Sequence, residues 1–247
     1  MATDTDTDTP AGLDRHPVVS HDAWTAARTA LLAKEKAFTR LRDELSRERR
    51  ALPWERVEKT YAFDASGGRV TLADLFDGRS QLVIYHFMFN PEADQGCAHC
   101  SFWADSFDPI VIHLSQRDVS FAAVSRAPVP KLERFRERMG WRFRWVSSGG
   151  NDFNRDLGVS FTAEQVRDGT AVYNYERVDQ AFADREGVSV FYRDPAGAIF
   201  HTYSSYARGI DILNTAYTYL DLVPKGRDED GLSFTQAWVR HHDRYED

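Results

Sequence analysis

Cysteine is nearly absent: Cys97 and Cys100 are the only two in 247 residues. A zinc site built from two C-x-x-C pairs therefore lacks its second pair. Basic charge is scarce as well. Lysine and arginine number 31 against 38 aspartates and glutamates, a net charge of −7. The two signs are interleaved, so neither nucleic acid nor an anionic membrane is expected as a partner. No apolar run approaches the roughly 20 residues of a membrane span, and the opening Met1 to Pro10, a Thr-Asp repeat, has neither the positive region nor the apolar stretch of a signal peptide. These absences point to the cytoplasm, where a cysteine pair is more often transient and catalytic than structural.

The residues that remain are enough to fold. Apolar residues make up 42% and aromatics 13%, which excludes disorder for the bulk, and the length allows one large domain with extensions. Residues 1–19 read as a disordered arm. Residues 20–56 read as an extension that is mostly one amphipathic helix. Ser20 is its N-cap candidate, no glycine or proline interrupts it up to Arg50, and Trp24, Leu31, Phe38 and Leu45 recur every seven residues. That stripe must be covered by the rest of the chain or by a second subunit, which makes the helix a candidate homodimer contact.

Residues 57–222 carry the main domain. Strands over Thr60–Phe63 and Arg69–Thr71 flank the turn residues Asp64 to Gly68 as a hairpin. Then follow the apolar strand Leu82–Phe89, a helix Ser101–Gln116 that Pro109 should kink or break, the strand Val119–Ser125, a helix Val129–Met139 stopped by Gly140, and the strand Phe143–Ser147. This alternation predicts an α/β fold with parallel neighbours. Residues 149–180 show no steady period and read as an irregular insertion. Val188–Tyr192 and Ala198–Tyr203 form a second hairpin around Asp194-Pro195-Ala196-Gly197, and Ile210–Leu222 a closing helix. Residues 223–247 are charged but contain Phe234 and Trp238, and read as a docked tail with His241 and His242 as a solvated pair.

Cys97-Ala98-His99-Cys100 follows the central apolar strand and opens a helix. Residues three apart on a helix share a face at about 5–6 Å between Cβ atoms, a separation that a disulfide accepts. Cys97 meets the unpaired N–H groups and the positive end of the helix dipole, which favour its thiolate. Cys100 sits one turn in, on the apolar face continued by Trp103, Phe107, Ile110, Val111 and Leu114. Cys97 is therefore expected to attack and Cys100 to resolve, with no cofactor required. His99 carries partial positive charge near neutrality and should tune the pair. No histidine is placed to complete a metal site: His113 lies on the order of 15–20 Å along the helix from Cys100, and His86 reads as a core histidine. Trp103, Arg126 at the carboxyl end of a strand and Val188 are candidate groove residues, joined by Tyr203, Tyr206 and Arg208, whose simpler role is packing or solvation. Two inert buried thiols are the plain alternative.

A C-x-x-C helix after a central strand, followed by αβ units, a hairpin and a closing helix, resembles the thioredoxin-like fold: a central mixed sheet flanked by helices, here with a long N-terminal helix and an insertion. A closer likeness runs through Gly96 to Asp105, Val124 to Pro128, Met139 to Phe143, Ser189 to Arg193 and Thr202 to Gly209. In these blocks the chain resembles the bacterial thioredoxin-like family known as domain of unknown function eight-nine-nine. The resemblance implies a dithiol–disulfide oxidoreductase acting on a disulfide-containing protein or a small-molecule thiol substrate. Two positions depart from thioredoxins: Glu186-Gly187-Val188-Ser189 replaces the proline before the hairpin strand, and Gly96 replaces the tryptophan before the motif. A peroxiredoxin-like peroxidase is the alternative enzyme, although Glu92 to Gly96 offers no counterpart of the peroxiredoxin threonine. A non-catalytic metal- or partner-binding module is the third reading, since a fold does not fix a function.

Overall fold

The structure, a computed structural model, describes residues 16–178 and 182–246. The arm expected over residues 1–19 lies outside the described residues up to position 15. Two compact units meet in sequence between Ala51 and Leu52. The first contains helix α1 (His21–Ala51), which runs without a break. Ser20 caps it, its carbonyl accepting the Trp24 amide at 2.9 Å and its hydroxyl the Ala23 amide at 3.3 Å. Asp22 in the first turn and Arg49 and Arg50 in the last complement the helix dipole. No residue of α1 is buried.

The second unit is built on an eight-stranded sheet. Strand β4 (Gln81–His86) pairs in parallel with β5 (Val119–Ser125), and β5 with β6 (Arg144–Ser147). Parallel neighbours need crossovers. Helices α3 (Ala98–Ala104) and α4 (Phe107–Ser115) make the first, and α5 (Val129–Arg138) makes the second. On the other side of β4 lies the antiparallel hairpin of β9 (Gly187–Arg193) and β10 (Ile199–Tyr206), edged by β1 (Glu55–Arg56). The hairpin β2 (Ala62–Ala65) and β3 (Gly68–Thr71) extends the sheet beyond β6 and leads into the short helix α2 (Leu72–Leu75). This is the thioredoxin-like α/β sheet expected, with its parallel strands inside and its hairpins at the edges.

Side-chain alternation along the strands divides the interior into two layers. Tyr85, Phe87, Ala123 and Trp145 face a core that includes Trp103, Phe107, Leu132 and Phe135. Leu82, Ile84, Val124 and Val146 face the other, with Phe63, Leu75, Phe153 and Phe191. His86 also points to that second layer, 5.8 Å from the Phe153 ring. Its Nε2 meets Ser189 Oγ at 2.8 Å, Ser189 Oγ meets Ser204 Oγ at 2.7 Å, and Ser204 Oγ meets His201 Nε2 at 2.7 Å. A ladder of polar groups thus crosses three strands, and His86 is the core histidine expected.

Several elements differ from the sequence reading. The helix after the cysteines breaks at Asp105 and Ser106 rather than at Pro109, which sits in the first turn of α4. That is where proline fits, because its ring clashes with the carbonyl four residues back and its missing N–H costs nothing in a first turn. The closing helix is divided too: a 3₁₀ segment, Ala207–Leu213, precedes α8 (Thr215–Leu220), which Asn214 caps by accepting the Tyr217 amide at 2.9 Å. The insertion contains α6 (Phe153–Asp156), α7 (Ala163–Arg167) and a ribbon of β7 (Val172–Tyr173) and β8 (Glu176–Arg177). Asn174 and Tyr175 turn that ribbon with positive φ at both positions.

Burial, and secondarily the charge of His201, depress the pKa of His86 from 6.5 to about 3. An unfolded histidine binds its proton near pH 6.5, so the unfolded chain takes up a proton that the native state refuses. The contribution of His86 to stability is complete above about pH 6.5 and is lost as pH falls toward 3. Urea titrations of the wild type and His86→Gln should diverge in slope over that window, by a total on the order of a few kcal/mol. Parallel pH profiles would show that His86 does not carry the effect.

Candidate active site

Beyond β4 the chain stays extended through Phe87, Met88 and Phe89, then doubles back. Asn90 Oδ1 accepts the Glu92 amide at 2.9 Å, and Lys131 Nζ donates to the Pro91 and Ala93 carbonyls at 2.7 Å each. The Cys97 amide returns to the Met88 carbonyl at 3.0 Å. This loop seats Cys97 as the N-cap of α3 and Cys100 in its first turn.

Gly96 precedes the motif for a steric reason. A Cβ there would stand 2.7 Å from the Phe87 ring and 2.8 Å from the Phe135 ring, so no larger residue fits without moving an aromatic core. The Gly96 carbonyl accepts a hydrogen bond from His241 Nε2 at 2.9 Å. His241 is therefore not solvated, as the sequence reading had it. It is 7% exposed and packs edge-on to Phe135, while His242 Nδ1 meets Asp105 Oδ1 at 2.7 Å.

The tail that ends in these contacts is organised by one carboxylate. Glu229 accepts from the Tyr217 hydroxyl and the Trp238 indole, both at 2.7 Å, and from the Gln236 amide at 3.0 Å. Burial opposes its charge, yet these donors hold its pKa below the usual range. So anchored, Phe234, Thr235 and Gln236 form one wall of a cavity of about 610 Å³ over the cysteines.

Both thiols are free and stand 4.0 Å apart. Cys97 is partly exposed, whereas Cys100 is 2% exposed and receives the Met88 amide at 3.4 Å on its sulfur. Their environments drive their ionisation apart. Hydrogen bonding from Cys100 comes first in lowering the Cys97 pKa well below that of an ordinary thiol; burial opposes this, and His99 and the Cys100 amide add to it. Cys100 is pushed well above its ordinary value, first by burial, then by its hydrogen bond with Cys97 and by the charge on Cys97. His99, half-buried and 6.0 Å edge-on from Phe234, is raised, first by its hydrogen bond with Cys97. The arrangement favours a thiolate on Cys97 and a protonated His99 beside it, and keeps Cys100 behind them as a thiol.

Of the residues singled out in the sequence, Cys97, His99, Cys100, Trp103 and Arg208 line this one cavity. Trp103 also fixes α3 to the 3₁₀ segment through Nε1 and the Ile210 carbonyl at 2.9 Å. Arg126 is not in the groove: its guanidinium grips Asp184 in two bonds of 2.7 and 2.8 Å, and Ser160 donates to the same carboxylate at 2.6 Å. Val188 is buried in the core layer with Cys100 and is not among the residues that line the cavity. Tyr206 packs, its hydroxyl on the Leu157 carbonyl at 2.9 Å. Among the lining residues that sequence reading missed are Tyr85, Met88, Arg185, Glu186 and Asp211. Arg185 and Glu186 directly precede β9 and so could have been found from the position where thioredoxins place their proline. Tyr85 gave no signal beyond being an aromatic in an apolar strand.

Among the described residues no three His, Cys, Asp or Glu side chains gather as a metal site, and no helix is long and apolar enough to cross a membrane. No curated protein matches the chain. Among solved structures, peroxiredoxin Q of Xanthomonas campestris is similar at 18% identity and a TM-score of 0.44, over 66% of this chain and 91% of that one. The peroxidoxin BcpB from Mycobacterium tuberculosis follows at 15% and 0.44, over 65% and 92%, and a yeast mitochondrial 1-Cys peroxiredoxin at 16% and 0.40, over 69% and 78%. The family model for bacterial proteins of unknown function DUF899 matches residues 13–245, and with nearly the whole chain inside that match, the protein belongs to this family.

Proposed function

We propose that the protein is a dithiol–disulfide oxidoreductase in which Cys97 attacks and Cys100 resolves. The observation that carries this reading is the asymmetry of the pair: the only two cysteines of the chain adjoin one cavity, the outer one favouring its thiolate and the inner one its thiol. The thiolate is the nucleophile of disulfide exchange. In the first step the Cys97 sulfur bonds to one sulfur of a substrate disulfide and expels the other as thiolate. In the second, Cys100 loses its proton and displaces the remaining half. No cofactor is needed, because the two sulfurs carry both electrons. A reducing cytoplasm suits the cycle, since it returns the pair to the dithiol.

A peroxidase is the second reading. The hairpin of β2 and β3 and the insertion after β6, which peroxiredoxin-like folds share, favour it: a Cys97 thiolate would attack one peroxide oxygen, breaking the O–O bond to give a sulfenic acid and release an alcohol or water, and Cys100 would then bond to Cys97 Sγ and expel water. Peroxide consumption with a thiol donor separates the two, since the disulfide exchanger turns over disulfides and leaves peroxide largely untouched.

Cys100→Ser should accumulate mixed disulfides with substrate, and Cys97→Ser should trap none. Equal trapping by both variants, seen by mass spectrometry, would overturn the assignment of roles. His99→Gln removes a positive neighbour from the thiolate but does little to the uncharged disulfide. The Cys97 pKa, read from the pH dependence of alkylation, should therefore rise, and the reduction potential should fall by tens of millivolts, about 30 mV being 1.4 kcal/mol for two electrons. An unchanged alkylation profile would remove His99 from the mechanism. We also assign the stripe of Trp24, Leu31, Phe38 and Leu45, all roughly half exposed, to contact with a second copy of the chain. Light scattering at micromolar protein should then give a dimer, and Phe38→Glu a monomer.

A further inference from the structure

The oxidoreductase reading leaves one step without a helper. Once Cys97 holds substrate in a mixed disulfide, the attacking group is Cys100, which lies 2% exposed in an aromatic core. To attack it must become a thiolate where water does not reach. One backbone donor, the Met88 amide, already points at its sulfur from 3.4 Å. A single long hydrogen bond is weak support for a buried charge.

Tyr85 stands beside it. The side chain lies in the same core layer as Cys100, lines the same cavity, and is 1% exposed. Its ring is held edge-on by Phe107 at 4.9 Å and by Phe87 at 6.3 Å. Its hydroxyl, by contrast, makes no hydrogen bond of full geometry among the described residues, and the one side chain it comes near to pairing with is Cys100. Buried tyrosine hydroxyls are normally paired, and an unmade bond there destabilises the fold. An exception at a reactive centre is explained if the partner exists only during reaction.

We propose that Tyr85 is a catalytic residue of the resolving step, its hydroxyl donating to Cys100 Sγ when that sulfur becomes a thiolate. The step balances. Attack by Cys97 on a disulfide releases one substrate thiolate, which takes the proton of Cys100. The Cys100 thiolate then bonds to Cys97 Sγ, the bond from Cys97 to the substrate sulfur breaks, and the second substrate thiolate leaves. Tyr85 keeps its proton throughout and supplies only the hydrogen bond, as befits a phenol whose ionisation is opposed first by burial and then by the charge on Cys100. The hydroxyl acts on Cys100 and has no part in the attack by Cys97.

The test rests on the proposed dithiol chemistry and separates it from the role of Tyr85. Reduced protein is mixed with dithiobis(nitrobenzoate) in a stopped-flow instrument, where attack by Cys97 releases the first coloured thiolate and resolution by Cys100 the second. In the wild type both equivalents should appear. In Tyr85→Phe, the first phase should keep its rate within about twofold while the second slows tenfold or more, and the reduced variant should melt no lower than the wild type because an unpaired hydroxyl has been removed. Should the variant melt lower, the ratio of the two phases within its folded fraction still decides. An unchanged second phase, or equal slowing of both, would overturn the role of Tyr85 and leave the dithiol intact. A wild type that releases one equivalent only, as Cys100→Ser is expected to, would instead overturn the dithiol reading itself.

Discussion

Everything at the site depends on holding a negative charge on Cys97 in a place that is partly dry. Burial alone would forbid it, because desolvation favours the neutral thiol. The thiolate is maintained by what points at it: the Cys100 side chain, the imidazole of His99, and the Cys100 amide. Two of these three come from one residue, so the inner cysteine favours a thiolate on the outer. The same contact raises Cys100. One interaction therefore drives the ionisation of the two sulfurs apart. The spacing of the motif is what permits it, since α3 places both sulfurs on one side within a single turn.

That interaction needs a backbone that does not drift, and the sheet alone does not supply it. Cys97 follows a loop of seven residues after Phe89, a length at which position is poorly fixed unless the loop is tied down. Here the ties come from both sides of the sequence. Lys131 of α5 holds the Pro91 and Ala93 carbonyls, the Met88 carbonyl holds the Cys97 amide, and His241, 145 residues away, holds the Gly96 carbonyl. Gly96 is where these constraints converge, because only the absence of a side chain lets the backbone press between Phe87 and Phe135. A bulky aromatic before the motif would be incompatible with that packing. The glycine at this position has a steric cause, and the tail covers one side of the site.

How much of this was legible in the sequence follows from how local each cause is. The alternation of strands and helices, the glycine that ends α5 and the capping of α1 by Ser20 are set by neighbours within a few residues, and they appear where the pattern put them. Pro109 was read correctly as a helix disruptor but assigned to the wrong point, because its clash acts on the preceding turn and so separates α3 from α4 at Asp105 and Ser106. Asn214 as a cap in the middle of an apolar stretch was overlooked in favour of the helical period around it. What could not be read were pairings between distant residues. Arg126 finds Asp184 across 58 positions, His241 finds Gly96, and Glu229 gathers three donors from an apparently charged tail. Nothing in the local pattern of such residues distinguishes a solvated side chain from a buried, bonded one.

Glu186 shows how the distant residues shape the chemistry as well as the fold. It enters the cavity from the start of β9, where its backbone carbonyl and carboxylate both receive the Tyr173 hydroxyl, at 2.9 and 3.2 Å. Its negative charge disfavours a thiolate on Cys100 and an ionised Tyr85, and favours a protonated His99. Each effect is in the direction of the separation that the motif begins, which favours charge outside on Cys97, a neutral thiol inside and a protonated His99 between them. A cation at that position in place of Glu186 would reverse the sign of this one contribution on all three groups, while burial would still hold Cys100 and Tyr85 neutral. The preference of each sulfur for thiolate or thiol is thus set by the fold around the motif as much as by the motif itself, because a C-x-x-C spacing is compatible with either preference until its surroundings are charged.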